Sequence, residues 1–245
     1  MEYDFSTELM SSMKERADKV RASIVEICNE CGRNPDEVTL VGVSKVFPVE
    51  YAEAAVAGGL IDLGENRVQE LVPKYERLSE LGLNPNWHLI GTLQKNKVKY
   101  IIGKTHLIHS VNTVDLAQEI SKRSSAAGIV SDILLQANVS GEESKHGFAP
   151  DELKGVIETV SGLDGVRIRG LMTMAPIQEY DGQARKVFEQ TREIYEALKG
   201  ENKDPEIWNI LSMGMSQDYK YAIMEGSTHI RIGTAIFGDR NTVNS

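Results

Sequence analysis

From about Val38 to Phe237 the chain alternates, eight times, a short apolar run with a stretch of helical periodicity or a tight turn. The runs read as strands are Val38–Val43, Leu60–Leu63, Trp87–Ile90, Leu107–Val111, Asp132–Val139, Val166–Met172, Ile207–Ser212 and His229–Ile232. Several are apolar throughout rather than alternating, as required of a parallel sheet covered on both faces. Eight such units predict a closed α/β barrel, the (β/α)8 or TIM barrel. A doubly wound open sheet is the alternative. It normally uses fewer strands, and the turn after Val43 lacks its glycine fingerprint. Ahead of the first strand, Met13, Ala17, Val20, Ile24, Ile27, Cys28 and Cys31 recur at helical spacing. Gly32 and Pro35 then supply a stop. The expectation is a single domain over residues 1–245, with an N-terminal helix (1–32) packed on the barrel.

Composition narrows the function classes. A net charge of −9 argues against a nucleic-acid or anionic-membrane surface. No apolar run approaches the ~18 residues of a membrane span. Met1–Ser12 lacks the apolar core of a signal peptide, so a cytoplasmic location is expected. The only cysteines, Cys28 and Cys31, have C-x-x-C spacing but no second metal-binding pair. They read as reduced thiols on a packed helix, and no metal site is expected.

In barrels of this kind the active face lies at the C-terminal ends of the strands. There the chain collects Lys45, Asn66, His88 with Gly91, Met172, Ser212 with Ser216, and Arg231 with Gly233. Lys45 directly follows an apolar strand, where desolvation favours a neutral amine able to form an imine; a solvated rim lysine is the plain alternative. In Ser212-Met213-Gly214-Met215-Ser216, Gly214 would let the backbone approach a ligand, and Ser216 reads as the cap of the following helix. Gly233-Thr234 follows the last strand. Phosphate sites in these barrels frequently use the loops after strands seven and eight. Arg231, if inward, would put a fixed cation in the barrel mouth, facing a pyridine nitrogen or a structural salt bridge. An amine and a phosphate cradle together suit pyridoxal 5′-phosphate, which is an aldehyde and a phosphate ester in one molecule. Asn66 and His88 are weaker signals. Lys145, in Ser144-Lys145-His146-Gly147, reads as a solvated loop lysine or an auxiliary amine, and Glu142-Glu143 as solvated.

With these residues in order, the chain resembles the pyridoxal-phosphate-binding homeostasis proteins (the YggS/PROSC group). The pieces are Val43-Ser44-Lys45, Gly64-Glu65-Asn66-Arg67-Val68-Gln69-Glu70, His88 through Lys97, Gly170-Leu171-Met172, Ser212 through Ser216, and Ile230 through Gly238. The resemblance implies a barrel like the N-terminal domain of alanine racemase. It implies an internal aldimine at Lys45 and a phosphate surrounded by Ser212, Gly214, Met215, Ser216, Gly233 and Thr234. It also implies that Arg231 faces the ring nitrogen and that Asn66 lies beside the cofactor.

True racemases add a C-terminal β-domain with a catalytic tyrosine. This chain ends at Ser245, right after the barrel, so that domain is not expected. A racemase needs an acid/base on each face of the substrate carbon. Lys45 supplies one, and no convincing second candidate stands out. The function expected is therefore intracellular pyridoxal-phosphate homeostasis, with little or no catalysis. The alternative is a pyridoxal-phosphate-dependent amino-acid racemase or related enzyme. The partners implied are pyridoxal phosphate and apoenzymes that use it, and the resemblance points to a monomer.

Overall fold

The computed structural model describes residues 5–141, 146–176, 182–201 and 204–239. The chain opens with α1 (Thr7–Cys31) and then builds β1 (Thr39–Val43), α2 (Val49–Ala57), β2 (Asp62–Glu65), α3 (Val68–Glu80) and β3 (Asn86–Leu89). A 3-10 turn (Lys95–Tyr100) leads to β4 (Leu107–Val111), α4 (Val114–Ala126), β5 (Ser131–Gln136), α5 (Leu153–Val160), β6 (Val166–Met172) and α6 (Gln183–Glu201). β7 (Ile210–Met215), α7 (Tyr219–Met224), β8 (His229–Ile232) and α8 (Thr234–Phe237) complete the order. The strands form a closed barrel in sequence order, and β8 pairs in parallel with β1 through Thr39↔His229 to Gly42↔Ile232.

The N-terminal helix forms for local and tertiary reasons. Ser6 Oγ accepts from Leu9 N–H at one end, and Gly32 adopts φ 70° at the other, its N–H donating to Cys28 O. The buried stripe Met13, Ala17, Val20, Ile24, Ile27 and Cys28 lies against α2, α7 and α8, sealing the seam between the first and last units. Both cysteines are free thiols; Cys28 is fully buried, and burial pushes its thiol pKa up. A Cβ at Gly32 would meet no atom within 4 Å, so only the left-handed backbone resists substitution. Gly32→Ala is therefore expected to cost about 1 kcal/mol in urea unfolding, without loss of helix signal.

Two strands are shifted from their expected places. The expected strand Leu60–Leu63 is observed as Asp62–Glu65. Leu60 belongs to the exit of α2 instead. Gly59 is left-handed (φ 94°) and Leu60 N–H donates to Ala55 O, a Schellman-type cap whose apolar last residue packs inward. The expected Ile207–Ser212 is observed as Ile210–Met215. What reads as a loop around Gly214 is thus strand. A bulge places Ser212 opposite His229 and Met215 opposite Arg231, which re-aims the end of β7. Between β3 and β4 the connection is the 3-10 turn rather than an α-helix.

Most of the apolar core lies between the strands and the surrounding helices, in one cluster that includes Ile230, Ile232, Trp208 and Phe188. A second apolar cluster is small: Leu107, Leu134, Met172 and Ile210. His88, His109, Ser212 and Arg231, from β3, β4, β7 and β8, are also buried, and they bond to one another. That polar strip, inside a barrel usually filled by branched apolar side chains, has to be explained by the site above it.

Candidate functional site

A cavity of about 500 Å³ opens at the C-terminal ends of the strands. Lys45, Asn66, Met215, Ser216, Arg231, Gly233 and Thr234 all line it. Ser212 and Gly214 do not. Ser212 is fully buried beneath Arg231. Gly214 (φ 94°) serves a different close approach: a Cβ there would lie 2.6 Å from Ala222 Cβ and 3.0 Å from Tyr219 Cα. It lets α7 press on β7. Ser216 does not cap α7. Asp218 holds the cap position, and its Oδ1 accepts from Met215 N–H at 2.6 Å. His88 lies among the buried barrel residues and does not line the cavity. Lys145 and Glu142-Glu143 fall outside the described residues.

The segment carrying Lys45 is pinned on both sides. Ser44 Oγ–H donates to Glu65 Oε1 at 2.7 Å, and Lys74 Nζ donates to Ser44 O at 2.8 Å. Lys74 and Glu65 form a buried ion pair at 2.6 Å. On the other side, Val46 N–H donates to Glu70 Oε2 at 2.7 Å. Val46 sits at φ 64°, a left-handed conformation that a β-branched residue adopts at a cost. Such strain persists only where the surroundings over-determine it, and it adjoins the one lysine that enters the cavity from β1. Glu65 and Glu70 both belong to the Gly64–Glu70 motif, so that motif fixes the residues flanking Lys45. Burial raises the Glu65 pKa, opposed by Lys74 and the Ser44 hydroxyl.

Asn66 is placed by Gly91. A Cβ at Gly91 would collide with the Asn66 backbone, so glycine is needed where the chain leaving β3 crosses the end of β2. Ser110 Oγ–H ties Gly91 O to β4 at 2.6 Å. Arg231 donates from Nη1 to Ser212 Oγ at 2.6 Å and from Nη2 to Thr173 O at 2.9 Å. Burial lowers its pKa to about 10, with the Asp218 carboxylate acting in the other direction, so it stays a cation at neutral pH.

Sequence reasoning missed several lining residues. Gln136 and His146 are joined by a Gln136 Nε2–H bond to His146 O at 2.8 Å. Phe47, Thr92 and Met174 also line the cavity. A signal for the buried polar strip was present: His229-Ile230-Arg231 alternates polar with apolar in the last strand. The arrangement offers an amine after β1, a guanidinium on the adjacent β8, and the hydroxyl-bearing residues Ser216 and Thr234 after β7 and β8. It suits a molecule carrying both a carbonyl and an anion.

The comparisons agree with that geometry. Residues 21–241 match the family model described as alanine racemase, N-terminal domain. A pyridoxal phosphate homeostasis protein from Aquifex aeolicus is 44% identical, with 92% of this chain and 97% of the relative covered. The structure of PipY from Synechococcus elongatus with pyridoxal phosphate bound superposes with TM-score 0.79 at 32% identity, covering 92% of this chain and all of that one. An alanine racemase from Clostridium difficile shares the fold at TM-score 0.65 and 15% identity; 88% of this chain covers 55% of it. The chain belongs to the pyridoxal phosphate homeostasis proteins, within the alanine racemase N-terminal domain family.

Proposed function

We propose that this protein binds pyridoxal 5′-phosphate reversibly and acts in its homeostasis with little or no turnover. One observation carries the reading: Lys45 and the loops after β7 and β8 open into the same cavity as Arg231. The donor set fits the group. Lys45 supplies a primary amine for an aldehyde carbon. Ser216, Gly233 and Thr234, which line the same cavity, would hold the phosphate. Arg231, held protonated, would donate to the ring nitrogen and so leave that nitrogen without a proton of its own. Bound pyridoxal phosphate supplies a reversible carbonyl and an electron-withdrawing ring; an unprotonated ring nitrogen weakens the second property. That favours holding the cofactor over turnover. Solved structures at 32–33% identity and curated relatives at 33–44% identity support the same reading.

The finer parts of the proposal are a cytoplasmic monomer built as one domain, with apoenzymes receiving the cofactor. Among the described residues no helix is long and apolar enough to cross a membrane.

The test is borohydride reduction after mixing with pyridoxal phosphate, then peptide mass mapping. A pyridoxyl group confined to Lys45, and absent in Lys45→Ala, is the expected result. Adducts scattered over surface lysines would overturn the reading. Arg231→Ala is expected to weaken cofactor binding about 10-fold or more in a fluorescence titration, the scale of a lost charge-assisted hydrogen bond. Unchanged affinity would place Arg231 outside the site. A chiral assay over a panel of amino acids separates the carrier from a racemase: turnover lost in Lys45→Ala would replace the carrier reading.

A further inference from the structure

We infer that Asp62, His88 and His109 are positioning residues for Arg231, joined to it through Ser212 by a single directed chain of hydrogen bonds across the barrel core. The chain runs Arg231 Nη1 to Ser212 Oγ (2.6 Å), Ser212 Oγ to His109 Nδ1 (2.9 Å), His109 Nε2 to His88 Nδ1 (2.8 Å) and His88 Nε2 to Asp62 Oδ1 (3.1 Å). Five side chains from β8, β7, β4, β3 and β2 take part. The chain starts at the cavity lined by Lys45 and ends at Asp62, the first residue of β2, which lines a second hollow beside α1.

Its direction is set from both ends. A guanidinium only donates, and an ionised carboxylate only accepts. Hydrogen bonds to His88 and Asn86 outweigh burial to hold the Asp62 carboxyl below its usual range, so it is ionised at neutral pH. His88 must therefore donate from Nε2 and accept at Nδ1. His109 must donate from Nε2 and accept at Nδ1. The Ser212 hydroxyl must give its proton to His109, which leaves a lone pair for Arg231. Both imidazoles are then neutral Nε2–H tautomers. Burial, the largest influence on each, depresses both pKa values. The His106 and His229 rings, at 5.6 and 6.0 Å from His88, also disfavour a further charge there.

The consequence concerns how Arg231 is held. It donates to the Ser212 hydroxyl and to the Thr173 main-chain carbonyl, both neutral, while the carboxylate that orders the hydroxyl is four hydrogen bonds away. Asp218 is turned to Met215 N–H. A guanidinium fixed by neutral acceptors keeps its charge and a defined direction toward the cavity. If the chain loses its direction, Ser212 is free to present its proton to Arg231 and the clamp fails.

This inference rests on the reading of Arg231 as the partner of the cofactor ring nitrogen. Two measurements test it. In the cofactor-free protein, 15N-histidine NMR at neutral pH is expected to show His88 and His109 protonated at Nε2 only; an Nδ1–H tautomer at either would overturn the chain. With pyridoxal phosphate, His109→Phe is expected to bind about 10-fold more weakly and to shift the absorption maximum of the bound cofactor, on the scale of one lost hydrogen bond. His109→Gln, which carries both an acceptor and a donor, should recover most of each effect. Asp62→Ala does not touch the cavity, so a shifted cofactor spectrum there is an effect no local packing role would produce; it also serves if His109→Phe fails to fold. Wild-type affinity and spectrum in folded Asp62→Ala and His109→Phe, with Lys45 still trapped, would refute this inference alone. Failure of the wild type to be trapped at Lys45 would instead refute the cofactor reading beneath it.

Discussion

Lys74→Ala is expected to cost about 3–5 kcal/mol of unfolding free energy at pH 7, the scale of a buried ion pair broken from one side. Lys74 and Glu65 side chains are 6% and 0% exposed and 2.6 Å apart. Lys74 also satisfies the Ser44 carbonyl. Removing it strands a carboxylate whose Oε2 already has no hydrogen-bond partner, and orphans a main-chain acceptor one residue from Lys45. The pH dependence has a definite sign. The Glu65 pKa is raised in the fold, first by burial. Its cost is thus full above the folded pKa and is relieved as pH falls through that value, and loss of Lys74 raises it further. The variant should therefore lose least against wild type in mild acid. Urea unfolding followed by circular dichroism, at pH 7 and pH 5, checks both points. Lys74→Met combined with Glu65→Leu should recover most of the loss, because the penalty lies in the unpaired charge rather than in the missing bridge. A loss under about 1 kcal/mol in the single variant would show that Glu65 escapes to water.

Lys74 also shows what the sequence concealed. In Val72-Pro73-Lys74-Tyr75 it reads as an ordinary helical lysine, and nothing local says that its ammonium turns inward under β1. That depends on a carboxylate 9 residues earlier in the chain and on α3 lying across the ends of β1 and β2. Lys45 was legible because its neighbours on one side form an apolar strand, and strand order in a barrel then gives the end at which it emerges. Asn66, Arg231 and Gly233-Thr234 were legible by the same logic. The strand boundaries misplaced at Leu60 and Gly214 have a common cause: apolar runs do not reveal where the backbone turns. Leu60 is apolar because it closes a helix cap, and Gly214 is glycine because α7 packs on it. The position of Ser212 behind Arg231 was not legible, because it depends on a bulge that exists only once β7 and β8 pair.

Acidification is expected to destabilise the fold steeply between about pH 6.5 and 5, because the barrel buries imidazoles that must stay neutral. Burial is the largest influence on all three. It lowers His88, takes His109 well below the usual histidine value, and takes His229 to about 3, with the His88 charge adding to the last two. In the unfolded chain all three titrate near pH 6.5. Below that value the unfolded state binds more protons than the folded one, so stability is full above pH 6.5 and is lost as pH falls; for His229 the loss continues down to about pH 3. A histidine held neutral through this window contributes a limiting slope of about 1.4 kcal/mol per pH unit, so His109 and His229 together give about 3, and His88 adds to it. Asp62, also lowered, adds to the loss only once the pH nears its unfolded value of 3.8. Glu65 and Asp218, both raised by burial, are relieved by acid and oppose it at the lower end. Denaturant unfolding at half-unit steps from pH 8 to 5 measures the slope. His229→Gln, outside the Arg231 chain, should flatten it by up to about 1.4 kcal/mol per pH unit. A flat profile from pH 7 to 5 would mean that the imidazoles accept protons without leaving the barrel. The directed chain could not then exist, since an imidazolium donates from both nitrogens and has no lone pair for Ser212. The acid limb and the positioning of Arg231 thus follow from the same condition, two neutral rings held in one tautomer between a carboxylate and a guanidinium.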